Sequence, residues 1–192
     1  MLIIVEGGDR SGKSTLAEAL GKKFPGITLK ITDRPKDGSS SEREKIKSHY
    51  ERVLNFVLRH RDIDFILDRY YPSEMNYSFL RGYEASEDPF FGSFEDKLEA
   101  QIRPFLILCD PGNETMKERM KLLKDDYVSI AKNTKVYGRY REFFKESRIN
   151  RKLKLNTSRP ISELLTKIES YIYGEHTRLR GVTEGPKQLS LF

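Results

Sequence analysis

The sequence predicts an α/β fold: a five-stranded parallel sheet with helices on both faces, in three α/β/α layers. Three observations lead there. Five short segments rich in aliphatic and aromatic residues, 2–5, 27–31, 65–68, 105–109 and 153–155, alternate with longer stretches of helical periodicity. Segments 2–5, 65–67 and 105–109 are continuous apolar runs, as expected of strands buried on both faces. The first run opens directly into Gly7-Gly8-Asp9-Arg10-Ser11-Gly12-Lys13-Ser14, which is Gly, four residues, Gly-Lys-Ser: a phosphate-binding loop in its strand–loop–helix setting.

In chain order, Leu16, Ala19, Leu20 and Phe24 give the first helix its apolar face, and Pro25-Gly26 ends it. Strand 27–31 leads to a polar loop, 32–39, and a charged helix over about 41–60 with Ile46, Tyr50, Val53, Leu54, Val57 and Leu58 on one side. Strand 65–68 is apolar until Asp68, and a polar, aromatic segment follows, helical over 73–80. A helix over 94–102 stops before Pro104. Strand 105–109 precedes a helix over 113–124, a linker at 125–135, a helix over 137–146, the fifth strand and a last helix over 162–173. Residues 1–173 therefore read as one domain with a short lid at about 122–135, and 174–192 as a flexible tail.

The 192 residues suffice for one proper core. No apolar run nears the roughly 20 residues that span a bilayer, so no membrane association is expected. A single Cys109 excludes an internal disulfide and fits a reducing compartment. With an N-terminus that goes straight into strand and loop, a cytoplasmic location is expected, bacterial or in a virus-infected cell. A net charge of +6 suits phosphate chemistry and equally a surface that docks on DNA. His49, His60 and His176 have no metal-ligand spacing.

Backbone N–H groups of Gly7, Gly8, Asp9, Ser11 and Gly12 can wrap an anion, and the helix opening near Ser14 and Thr15 adds its positive end. Lys13 can reach the β- and γ-phosphates of ATP, and the Ser14 hydroxyl can ligate Mg²⁺. Asp68, ending a neighbouring strand, is the candidate for the rest of the Mg²⁺ shell. Arg69 next to it offers a fork-shaped donor to a second phosphate. Arg10, inside the loop, would lie beside the transferring group and stabilise charge developing there.

IIVEGGDRSGKST together with Asp68-Arg69-Tyr70-Tyr71-Pro72-Ser73-Glu74-Met75-Asn76-Tyr77 resembles the thymidylate kinases, whose loops read EG-x-D-x-x-GKST and which carry D-R-Y-x-x-S-x-x-A-Y after the third strand. The resemblance spans about residues 1–173, and the Asp9-Arg10 pair is similar to the eukaryotic and viral version. Consistent with that version, the lid stretch has Lys124, Lys132 and Lys135 but no arginine. The resemblance implies the three-layer P-loop kinase fold, ATP and Mg²⁺ as cofactors, and Arg10 bridging donor and acceptor phosphates. It also implies Asp9 against the acceptor sugar, Arg69 and Arg34 on the acceptor phosphate, Arg119 and Thr157 near adenine, and Tyr70, Ser73 and Tyr77 lining the acceptor site.

Two departures stand out. The aromatic and the arginine that read thymine on the helix before the third strand have no clear counterpart; Lys45, His49 and Tyr50 occupy that neighbourhood, with His49 the candidate acceptor contact. The stretch after Arg34 is short, which leaves the acceptor side less covered. At the C-terminus, Gln188-Leu189-Ser190-Leu191-Phe192 resembles the pentapeptide by which replication proteins dock on bacterial sliding clamps. The alternatives are packing on the domain or pairing in a homodimer. The leading expectation is phosphoryl transfer from ATP to a deoxynucleoside monophosphate. A second acceptor class is a hydroxyl on DNA, such as a hydroxymethylated base, reached through a clamp-bound tail. A non-catalytic, nucleotide-dependent accessory is the third.

Overall fold

The computed structural model describes residues 1–32, 35–122 and 128–179, with side chains through 174. Arg34, part of the lid stretch and the terminal pentapeptide lie outside the described residues. The sheet is five-stranded and entirely parallel, in the order β2-β3-β1-β4-β5: β1 Leu2–Glu6, β2 Ile27–Lys30, β3 Phe65–Asp68, β4 Phe105–Cys109, β5 Arg151–Leu155. It is the three-layer fold expected.

Central β1 shows why the runs are continuous. Leu2 and Ile4 face one layer with Leu54 and Phe94, while Ile3 and Val5 face the other with Leu16, Leu20 and Ile168. Helices α1 (Lys13–Lys23) and α7 (Ile161–Leu179) cover the second face; α2 (Ser40–Arg59) and α4 (Pro89–Gln101) cover the first. A third apolar cluster joins α3 (Tyr71–Tyr77) to α6 (Ile130–Glu146) through Tyr77, Val136 and Tyr140, above the carboxyl ends of the strands. Chain order reverses at β1: β2 and β3 lie on one side, β4 and β5 on the other. That switch point is where open parallel sheets bind ligands.

Several helix bounds differ from expectation, each for a local reason. Helix α4 starts at Pro89, not 94, because Asp88 caps it by accepting from the Phe90 N–H at 3.0 Å. Helix α6 starts at Ile130, where Ser129 caps the Lys132 N–H, so 130–135 is helix and not linker. Helix α5 is described over Asn113–Leu122, and the last two residues of its expected span lie outside the described residues. The segment after β3 is helical from Tyr71 and tightens into a 3₁₀ turn at Ser78–Arg81. Helix α7 runs through Gly174 to Leu179, six residues into the expected tail; Leu164, Ile168 and Ile172 anchor it, and one exposed glycine costs only about 1 kcal/mol.

Candidate active site

The loop after β1 is built by close approaches. Gly7, at φ 151°, leaves no room for a Cβ, which would sit 2.6 Å from the Cys109 carbonyl; at Gly8 a Cβ would meet the Tyr137 ring at 2.4 Å. Arg10 takes a left-handed φ of 65° and Gly12 one of 84°, which turns the loop back into α1. The turn is braced from three sides. Tyr137 and Asn133 of α6 donate to the Asp9 carbonyl at 3.1 Å each. Arg119 of α5 donates to the Arg10 carbonyl at 3.1 Å and to the Thr157 carbonyl at 2.7 Å, and the Thr157 hydroxyl donates to the Ser11 carbonyl at 2.5 Å.

Two cavities meet at this loop. The first, ≈ 530 Å³, is lined by Arg10, Gly12, Lys13, Ser14 and Thr15, with Arg119 and Thr157 opposite and Ile161 and Leu164 as apolar wall. The second, ≈ 330 Å³, is lined by Arg69, Tyr70, Ser73 and Tyr77, with Tyr50, Glu74 and Arg81. Asp9 borders both. Its carboxylate takes Arg69 Nη2 at 2.7 Å, and Arg69 Nη1 donates to the Ser73 hydroxyl at 3.3 Å with its guanidinium 5.4 Å over the Tyr77 ring.

Beneath Arg69 lies Glu6, at the end of β1 and 1% exposed. It accepts the Tyr70 N–H at 2.6 Å and the Ser73 and Tyr140 hydroxyls at 2.9 Å each. Burial raises its pKa, against the opposing pull of Arg69 and these hydrogen bonds. Arg69 itself is held charged: burial works against it, but Tyr77, Tyr140, Asp9 and Glu6 outweigh that. Lys13 is buried with its ammonium 3.4 Å from the Gly8 carbonyl; burial, and then Arg69, lower its pKa to about 8.

The Oδ1 of Asp68 is buried and has no hydrogen-bond partner among the described residues. An orphaned carboxylate oxygen beside Lys13, at the foot of the helix that carries Ser14, fits a Mg²⁺ held through its water shell. Among the described residues no three His, Cys, Asp or Glu side chains converge, so phosphates would supply the remaining ligands.

Of the residues singled out in the sequence, Asp9, Arg10, Gly12, Lys13, Ser14, Thr15, Arg119 and Thr157 line the first cavity. Gly7, Gly8 and Ser11 form the loop that floors it. Arg69, Tyr70, Ser73 and Tyr77 line the second. His49 does not join them; it lies in a neighbouring groove with Lys45 and Arg52. Tyr70 is nearly fully buried, its hydroxyl spent on the Tyr50 carbonyl at 2.6 Å. The sequence reading missed Glu6, Asn133, Tyr137, Glu74 and Arg81. Glu6 and Glu74 stood within the two motifs and had a signal; Arg81, Asn133 and Tyr137 lie outside them.

No family model matches the chain. It is 28% identical to a probable thymidylate kinase of Archaeoglobus fulgidus over 193 residues, covering 90% of this chain and 94% of that one. Among solved structures, the YorR protein of Bacillus subtilis in complex with phosphorylated GDP superposes with a TM-score of 0.74 at 22% identity, covering 92% of this chain and 98% of that one. Thymidylate kinase from Candida albicans gives 0.66 at 18%, covering 91% and 92%; deoxyadenosine kinase from M. mycoides gives 0.57 at 13%, covering 91% and 99%. The structural likenesses speak for the fold, and the loop, Asp68 and Arg69 stand at the carboxyl ends of its strands. In sequence the chain is similar to a thymidylate kinase, and it shares the three-layer α/β/α P-loop kinase fold with solved nucleotide kinases.

Proposed function

We propose that the chain moves the γ-phosphoryl group of ATP onto the phosphate of a deoxynucleoside monophosphate. The observation that carries this reading is that Asp9-Arg10 separates two cavities that meet at one loop, with Arg69 fixed on the far side. ATP in the first cavity would lay its phosphates along residues 7–14, with adenine toward Arg119, Thr157 and Leu164. The acceptor phosphate would take Arg69 in place of part of its bond to Asp9. Lys13, protonated on meeting the phosphates, and Arg10 would stabilise charge on the transferring group. Mg²⁺, held by Ser14 and through water by Asp68, would supply charge neutralisation at the β- and γ-oxygens. Phosphoryl transfer of this kind rests on positioning and electrostatics. Incubation with ATP-Mg²⁺ and each of the four deoxynucleoside monophosphates tests it; diphosphate from none of them rejects it.

One observation favours the second acceptor class. Thr32 lines both the acceptor cavity and the ≈ 420 Å³ groove of Lys45, His49 and Arg52, so a longer, charged acceptor could run from one to the other. Labelled phosphate in hydroxymethylated DNA, with none in free nucleotides, would select that reading. DNA binding that resisted added salt would count against it, because phosphate contacts release counterions.

A further inference from the structure

The acceptor cavity contains a charged pair for which phosphoryl transfer has no use. Glu74 on α3 and Arg81 at the end of the following 3₁₀ turn both line it, and Arg81 Nη2 donates to Glu74 Oε1 at 2.6 Å. Their side chains are 3% and 11% exposed. Taking both charges out of water is repaid only when the remaining lone pairs and N–H groups are also satisfied. Among the described residues this is incomplete: Arg81 Nε is buried without an acceptor, and the hydrogen bond found on the Glu74 carboxylate is the one that Oε1 accepts from Arg81. The pair thus keeps unspent acceptor and donor capacity in two residues that line the cavity. Tyr50, buried beside it and within the field of both charges, joins Tyr70 edge to face at 5.4 Å as an aromatic surface for a planar ring.

We propose that Glu74 and Arg81 read the base of the acceptor, and that the base they fit is guanine. Guanine presents two neighbouring donors, N1–H and the 2-amino group, next to the O6 acceptor. The donors match the carboxylate and O6 matches the guanidinium, so both spare functions are used. Adenine and cytosine offer one amino group beside a ring nitrogen and leave half the carboxylate unmet. Thymine sets a single N–H between two carbonyls, one of which would face the carboxylate. A site whose buried polar groups need a partner rejects bases that lack it. The inference rests on the acceptor reading above and names the base within it.

The test is calorimetric binding of dGMP, dIMP, dTMP, dAMP and dCMP to the full chain and to Glu74→Gln, with turnover measured on the same panel. Deoxyinosine monophosphate lacks only the 2-amino group. The expected result is dGMP bound about tenfold or more tighter than dTMP and dIMP, the dGMP–dIMP difference collapsing in Glu74→Gln. Arg81→Lys, which keeps the charge but loses Nε, should weaken dGMP by about tenfold and is the second variant if Glu74→Gln does not fold. A merely structural pair would change melting temperature and leave these ratios alone. Equal binding of all five, a preference for dTMP, or a dGMP–dIMP difference that survives Glu74→Gln overturns the proposal. Guanine-selective binding without diphosphate would leave it standing and remove the phosphotransfer reading. Unselective turnover would do the reverse, and no binding at all would remove both.

Discussion

On the proposed reading, Lys13 should take up a proton when ATP binds. In the free protein its ammonium is buried against the Gly8 carbonyl, and burial, followed by the Arg69 charge, lowers its pKa from 10.5 to about 8. Phosphates laid along the loop would restore the charged form. The uptake per ATP bound is then the fraction of Lys13 deprotonated beforehand: about 0.1 at pH 7, about 0.5 at pH 8 and about 0.9 at pH 9. Because the proton must be supplied, ATP affinity should fall about tenfold between pH 7 and pH 9, close to 1.4 kcal/mol. The sign for folding is opposite. Between about 8 and 10.5 the unfolded chain binds more protons, so this group's cost of about 3 kcal/mol at neutral pH is relieved as pH rises. Titration calorimetry of ATP-Mg²⁺ in buffers of different ionisation enthalpy counts the protons. Lys13→Arg, charged throughout, should show almost no uptake. Zero uptake by the unmodified chain at pH 9, or the same uptake in Lys13→Arg, would refute the reasoning.

Asp68→Asn should cut kcat by about 10–100-fold through the Mg²⁺ shell while leaving the melting temperature unchanged or higher, because it replaces a buried carboxylate that has an orphaned oxygen with a neutral amide; calorimetric melts and steady-state kinetics check both. Gly8→Ala drives a Cβ into the Tyr137 ring, and should cost about 1–3 kcal/mol in urea unfolding and lower kcat/KM by disturbing the Asp9 carbonyl. Arg119→Lys cannot bridge the Arg10 and Thr157 carbonyls together. It should raise the KM for ATP about tenfold, with the acceptor KM little changed, since one charged hydrogen bond is worth about 1.5–3 kcal/mol.

Much of the donor side was legible in the chain, because it is local. The strand, glycines, lysine and serine of a phosphate loop are consecutive, and their spacing is dictated by an anion of fixed size. Asp68 and Arg69 were legible for a related reason: an apolar run that ends in Asp-Arg leaves both at the carboxyl edge of a parallel sheet, wherever that strand sits. Elements with a continuous apolar run or a clear stripe were found close to their true bounds. The bounds that moved depend on caps such as Asp88 and Ser129, or on anchoring of α7 by residues upstream of Gly174.

The acceptor side and the bracing of the loop were decided only in three dimensions. Tyr137 and Asn133 look like ordinary residues of an amphipathic helix, and reach the Asp9 carbonyl because α6 crosses the carboxyl ends of the strands. His49 is one residue from Tyr50 yet faces another groove, since neighbours on a helix point about 100° apart. Glu74 and Arg81 are seven apart, in α3 and in the 3₁₀ turn that follows it, and their 2.6 Å contact is visible only in the folded chain. By itself, the sequence determined a phosphate-loop motif after β1 and an Asp68-Arg69 pair at the carboxyl end of β3. The packing of α2, α3 and the turn around a shared cavity decided which groups face the acceptor, because that depends on side-chain direction across separate elements.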